Sequence, residues 1–202
     1  MAREGTALLL LAGGGLLLLT RGTAHAMGTA PRAAFMTWPI DPASVTRLGD
    51  TAGDRGGEHQ GLDIMGPAGQ PVVAPVPGRV LRVVNGSASA IPSRRRAGQW
   101  VDLQAGADFV VPHAVLRMLH LRPGDIEVED GDQVERGATL GYIAEPGTSG
   151  VDGKTPAHVH FEIRRPGTGG KGGYGEPVDP LSVLPPTGID RFDRRLGGVL
   201  RG

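Results

Sequence analysis

The sequence contains no cysteine, and only two of its 21 basic residues are lysines, Lys154 and Lys171. Without cysteine there are no disulfides, no thiolate-ligated metal and no thiol nucleophile. Aromatic residues make up 4% of the 202 positions, and the 21 basic side chains are balanced by 21 acidic ones. A neutral chain lacks the basic surplus that binding through phosphates requires, so no nucleic-acid partner is expected. The G-x-S-x-G elbow of serine hydrolases is missing. Gly153-Lys154-Thr155 falls short of a phosphate-binding loop, because Thr148 stands where that pattern needs glycine. No long apolar stripe of helical period occurs either, so helix should be scarce.

What the chain has in quantity is 34 glycines and 17 prolines, a composition near the low-complexity range. Their placement argues for turns instead of disorder. Pro71–Val84 reads as strand, turn, strand around Pro75–Gly78, and Gln99–Gln104 and Phe109–Leu121 flank Ala105–Asp108 as a hairpin. Gln133-Val134, Ala138–Ala144 and His158–Arg164 follow as further short strands. Many short strands with regular turn signals predict an all-β antiparallel sheet or sandwich. Asn85–Gly98, with Arg94-Arg95-Arg96, reads as a solvated polar loop, and Gly167–Gly175 as a flexible one.

The first 26 residues are expected to be a signal segment. Arg3 precedes a 14-residue apolar run, Thr6–Leu19, and Ala24-His25-Ala26 supplies an A-x-A cleavage pattern. The run is shorter than the roughly 20 residues a membrane span needs. Export to the periplasm or cell wall follows, with no stable span after cleavage; a retained membrane anchor is the other reading. Residues 27–50 form a lead-in, 51–185 the domain and 186–202 a tail. In that tail Ile189, Phe192, Leu196 and Val199 fall on one side of a short helix.

Six histidines carry the chemistry. His158 and His160 are two apart on a strand and so share a face, with Val159 and Phe161 on the other. Spacing alone does not choose which of the two would ligate a metal. His59 and Asp63 sit in a glycine-rich stretch that disfavours helix, and Gly61 allows the bend that brings them together. Histidine with aspartate suits a zinc ion that keeps three protein ligands and one position for water. His120 is the fifth point; His25 falls in the signal, and His113 reads as structural.

These motifs, His59-Gln-Gly-Leu-Asp63, His120-Leu121 and His158-Val-His160-Phe-Glu-Ile163, resemble in order and spacing the lysostaphin-type (LytM-like) zinc metallopeptidases, which cut peptide bonds in peptidoglycan. Gly69–Ala74, Val128–Val134 and Pro177–Leu181 extend the resemblance over about residues 55–182. The resemblance implies a LytM-like fold, one Zn2+ held by His59, Asp63 and His160, and His120 and His158 as the catalytic pair. His158 is then expected as general base and His120 as stabiliser of the oxyanion, with the reverse assignment open. The expected partner is a peptidoglycan peptide, and the direct cross-link is favoured over a glycine bridge. Two departures bear on the substrate groove: Met118 replaces the family's aromatic residue, and the insertions Asn85–Gly98 and Gly147–Ala157 are long. The rival within the same fold is a catalytically inactive cell-wall-binding or hydrolase-activating module. A rival outside it, a lipoyl- or biotin-carrier-like domain, matches the turns at Ala74–Val80 and Gly131–Gly137, but no lysine precedes Lys154 to bear the cofactor.

Overall fold

A computed structural model of the protein describes residues 36–51, 58–89, 92–167, 174–187, 191–193 and 198–200. The expected signal segment lies outside these. The all-β expectation holds. The strands are β1 (Arg47–Leu48), β2 (Leu62–Met65), β3 (Pro71–Val73), β4 (Gly78–Asn85), β5 (Gln99–Ala105) and β6 (Val115–Leu121). They continue with β7 (Gln133–Val134), β8 (Thr139–Tyr142), β9 (His158–Arg164), β10 (Pro177–Val178), β11 (Arg191–Asp193) and β12 (Gly198–Leu200). One sheet runs β12-β11-β1-β2-β9-β6-β5-β4-β7, with β10 also on β9; β3 and β8 form a second, two-stranded sheet. All pairings are antiparallel except β1 with β11.

Alternation places the core. Val101 and Leu103 on β5, Leu116 and Met118 on β6, and Val159, Phe161 and Ile163 on β9 are all inaccessible to solvent. They share one apolar cluster with Val72 of β3 and Leu140 of β8. The stretch expected as a lead-in is part of this core: Met36, Trp38, Ile40 and Leu48 are buried in it. Trp38 donates its indole N–H to the Pro185 carbonyl at 3.0 Å, tying the two ends of the domain together.

Two irregularities decide which side chains face which way. Between β5 and β6, Gln99 pairs with Leu121 and Val101 with Met118, so β6 spends one residue more than its partner. His120 takes this β-bulge with φ +64°, a left-handed conformation uncommon outside glycine. Between β4 and β5, Val80 pairs with Leu103 and Arg82 with Asp102, so β4 carries the extra residue.

Three expectations change. Within the Asn85–Gly98 insertion, Gly86–Ala88 form a short 3-10 turn and Pro92–Ala97 a helix, α1. Proline is pre-set for the first helical position, and arginine favours helix. The β5–β6 hairpin has a longer connection than expected, because Phe109 and Val111 are buried from a turn instead of extending the strand. In the tail, Phe192 and Val199 are register partners in the antiparallel pair β11–β12 instead of lying on a helix. Adjacent glycines Gly197 and Gly198 are weak helix formers. Ile189 and Leu196 lie outside the described residues. Among the described residues no helix is long and apolar enough to cross a membrane.

Candidate metal centre

β2 and β9 meet in a register that sets Asp63 opposite His160. Gly61 makes that approach possible: a Cβ there would fall 2.3 Å from the Phe161 carbonyl oxygen and 2.9 Å from His160 Nε2. The chain bends at Gly61, as expected, and returns His59 to within 3.1 Å of Asp63. His59, Asp63 and His160 are all buried, and each offers a ligand atom within 4.8 Å of the other two. His59 Nε2 lies 3.1 Å, and His160 Nδ1 2.7 Å, from the same carboxylate oxygen, Asp63 Oδ1.

His158 and His120 complete the cluster. His158 Nε2 is 3.9 Å from Asp63 Oδ1, and the rings of His120 and His158 are 4.8 Å apart. Plain alternation along β6 would send His120 to the core beside Met118. The bulge instead turns both Leu119 and His120 into the groove. His113, read as structural, is an exposed turn residue with φ +56°.

Each of the four rings has one nitrogen committed elsewhere. His59 Nδ1 meets the Thr51 carbonyl at 3.1 Å, His120 Nδ1 that of Ser149 at 3.0 Å, and His158 Nδ1 that of Pro156 at 2.9 Å. A carbonyl only accepts, so these three nitrogens carry protons, and in the neutral rings of His120 and His158 that leaves Nε2 as a lone pair. His160 is turned the other way round, its Nε2 lying 3.2 Å from Glu162 Oε1 and its Nδ1 towards Asp63. Sequence reasoning did not single out Glu162. Its signal was available, since it lies two residues beyond His160 on the same face of β9. The carbonyls of Thr51, Pro156 and Ser149 leave no trace in side-chain identity.

The electrostatics divide the cluster. Burial opposes ionisation of Asp63, but hydrogen bonds from His160 and His59 outweigh it and hold the carboxyl well below its usual range. Burial also opposes a charge on His160, yet its bonds to Asp63 and Glu162 raise it to about 9. His120 has no such partner: burial, then the charges of His158 and His160, press it down to about 3. Burial lowers His158 as well, and Asp63 partly offsets that. The metal-free centre therefore holds one carboxylate against one imidazolium, beside two imidazoles kept neutral.

The cluster forms the floor of a groove of about 540 Å³. One wall is built from the two insertions. Ser149, at φ +46°, accepts from the Gln99 N–H at 2.8 Å and donates its hydroxyl to the Leu121 carbonyl at 2.6 Å. A Cβ on Gly150 would sit 2.3 Å from the Arg96 carbonyl, so helix α1 and the 147–152 turn lie backbone against backbone. Arg96, Asp152 and Thr155 line this side, and Glu58 the groove beside His59.

The donor set, two imidazoles and a carboxylate within reach of one point, fits zinc and leaves room for water. The chain is 35% identical over 144 residues to a lipoprotein NlpD/LppB homolog of Pseudomonas aeruginosa, covering 71% of this chain and 39% of that protein. It is 25% identical over 166 residues to the murein hydrolase activator NlpD of Salmonella dublin, covering 82% and 36%. It thus spans less than half the length of the curated relatives it matches. Among solved structures, a zinc-containing peptidase from Vibrio cholerae superposes with a TM-score of 0.50 at 25% identity, covering 74% of this chain and 40% of that one. The sequence pattern of peptidase family M23 matches residues 57–180, from just before His59 to beyond β10. With that match running through every residue of the cluster, the chain belongs to peptidase family M23.

Proposed function

We propose that the protein is an exported zinc endopeptidase that hydrolyses peptide bonds in peptidoglycan. The observation that carries this is the complete cluster: three ligand atoms within 4.8 Å of one another, flanked by two further imidazoles. His59 Nε2, Asp63 Oδ1 and His160 Nδ1 would hold the ion. Bound there, zinc polarises the scissile carbonyl and lowers the pKa of water towards neutrality.

The remaining work falls to His158 and His120. Both are neutral, and both turn Nε2 lone pairs into the groove, so at rest both accept protons. We assign His158 as the base: its Nε2 lies 3.9 Å from Asp63 Oδ1, whose charge offsets part of its burial. It takes the proton from the attacking water at Nε2 and returns it to the leaving amine. His120, expected as stabiliser of the oxyanion, likewise presents a lone pair at Nε2 in the metal-free protein, because Nδ1 donates to the Ser149 carbonyl. Two acceptors side by side suit the two hydrogens of one water, and we assign His120 to orienting it.

The relatives named as murein hydrolase activators support a second reading, in which the domain binds the wall and activates another hydrolase. Purified sacculi, mixed with the zinc-loaded protein with and without chelator, separate the two by mass analysis of the products. Released peptides that disappear with chelator are expected. Intact sacculi with a zinc-loaded protein would leave the activator reading.

A further inference from the structure

We infer that Glu162 is a positioning residue for the metal centre, and that a ladder of alternating charge across four strands holds it there. The inference rests on zinc occupying the site as proposed above. The register of the sheet sets Arg82 of β4 opposite Asp102 of β5, Asp102 opposite Arg117 of β6, and Arg117 opposite Glu162 of β9. Opposite charges facing across paired strands attract. Arg82 Nε meets Asp102 Oδ2 at 2.6 Å, and Arg117 grips Asp102 through Nε at 2.7 Å and a second nitrogen at 3.2 Å. Arg117 then reaches Glu162 Oε2 at 3.8 Å.

The ladder is deep and well braced at its middle. Asp102 has no solvent exposure, and it also receives the Tyr174 hydroxyl at 3.2 Å and the Trp100 indole N–H at 3.3 Å. Tyr174 lies over both arginines, 5.3 Å from Arg82 and 5.2 Å from Arg117. At the other end Arg164 approaches Glu162 Oε2 at 3.6 Å. Oε2 makes no hydrogen bond and lies between the two guanidinium groups by charge alone, while Oε1 is presented to His160 Nε2 at 3.2 Å.

That bond decides which nitrogen of His160 can serve a metal. It keeps hydrogen on Nε2 and leaves Nδ1, the atom beside Asp63, to be the ligand. A carboxylate behind a histidine also makes the ligand nitrogen a better donor. The alternative is a purely structural one, in which Glu162 merely neutralises Arg117 and Arg164. Burying charges for that alone stabilises little compared with apolar side chains of similar size.

Glu162→Gln keeps the shape and removes the charge. Zinc affinity, measured on the full chain by competition with a chromophoric chelator, is expected to fall by about 10- to 100-fold. The visible spectrum of the cobalt(II)-loaded protein should shift with it, a change that loosened packing alone would not produce. Arg117→Lys, which keeps the charge but loses the fork, should weaken zinc binding less and in the same direction. It carries the test should Glu162→Gln fail to fold. Either variant, folded and binding zinc within about twofold of the parent, overturns the inference. A parent that takes up no zinc would overturn the proposed function as well, so the two failures are distinguishable.

Discussion

On one side of β9, Val159, Phe161 and Ile163 are closed to solvent and belong to the apolar core. On the other, His158, His160, Glu162 and Arg164 are 5%, 8%, 6% and 0% exposed, nearly as deep, and are held by charge and hydrogen bonds. The two faces reach similar burial by different physics. Apolar burial contributes roughly in proportion to area and is indifferent to direction. A buried polar group stabilises only while its partners stay within reach, and costs about 1–3 kcal/mol when one is removed. The apolar face therefore fixes the strand, and the polar face uses that rigidity to hold atoms at set positions.

The contrast is broken most severely at the proposed ligands. His160→Ala is expected to abolish zinc uptake and peptide release together, seen as bound metal per chain and products from sacculi. Next come two substitutions on opposite faces of β9, with opposite signatures. His158→Ala should lower turnover by about 100- to 10,000-fold with zinc retained and little change in melting temperature. Phe161→Ala should cost about 3–5 kcal/mol of stability by denaturant unfolding, while the fraction that stays folded still binds zinc. If Phe161→Ala lost metal without losing stability, the division between the faces would fail.

A smaller effect is expected at the bulge. His120→Ala and His120→Gly should both depress turnover, but the glycine variant should be the more stable by about 1 kcal/mol. Only glycine adopts the left-handed conformation at position 120 without penalty. Equal melting temperatures would argue against strain there.

The gentlest test is pH. In the metal-free protein His160 is raised, so its contribution is complete below about pH 6.5, the unfolded value, and is lost as pH climbs towards about 9. His120 is pressed down to about 3, so its neutral burial weakens the fold progressively as pH falls below about 6.5. His158 acts in the same direction as His120, and Asp63 adds a loss once pH drops below 3.8. Melting temperature in chelator should therefore peak near pH 6.5 and decline on both sides. A curve still rising at pH 8 would contradict the His160 assignment.

Much of this was legible in the sequence. The strands follow from alternation and turns, and all five residues singled out by their motifs gather around one point. What was not legible depends on register between strands far apart in sequence. Arg82, Asp102, Arg117 and Glu162 look like ordinary strand residues until pairing sets them side by side. The ordering of the Asn85–Gly98 insertion depends on its contact with the 147–152 turn, some 50 positions away. Only the short i, i+2 relation of His160 and Glu162 was open to inspection and passed over.

The two bulges have a further consequence, best put as parity. In a regular strand, odd and even positions keep to opposite faces along its whole length. Here the count changes sign once in β4, before Arg82, and once in β6, at His120. A chain shorter by one residue between Met118 and Leu121 could keep every surrounding pairing, yet it would leave room for only one of Leu119 and His120 in the groove. In β4 the extra position is Leu81, which separates core Val80 from Arg82 of the charge ladder. For this molecule, the length of a strand segment is as much a part of the histidine cluster as the identity of its residues.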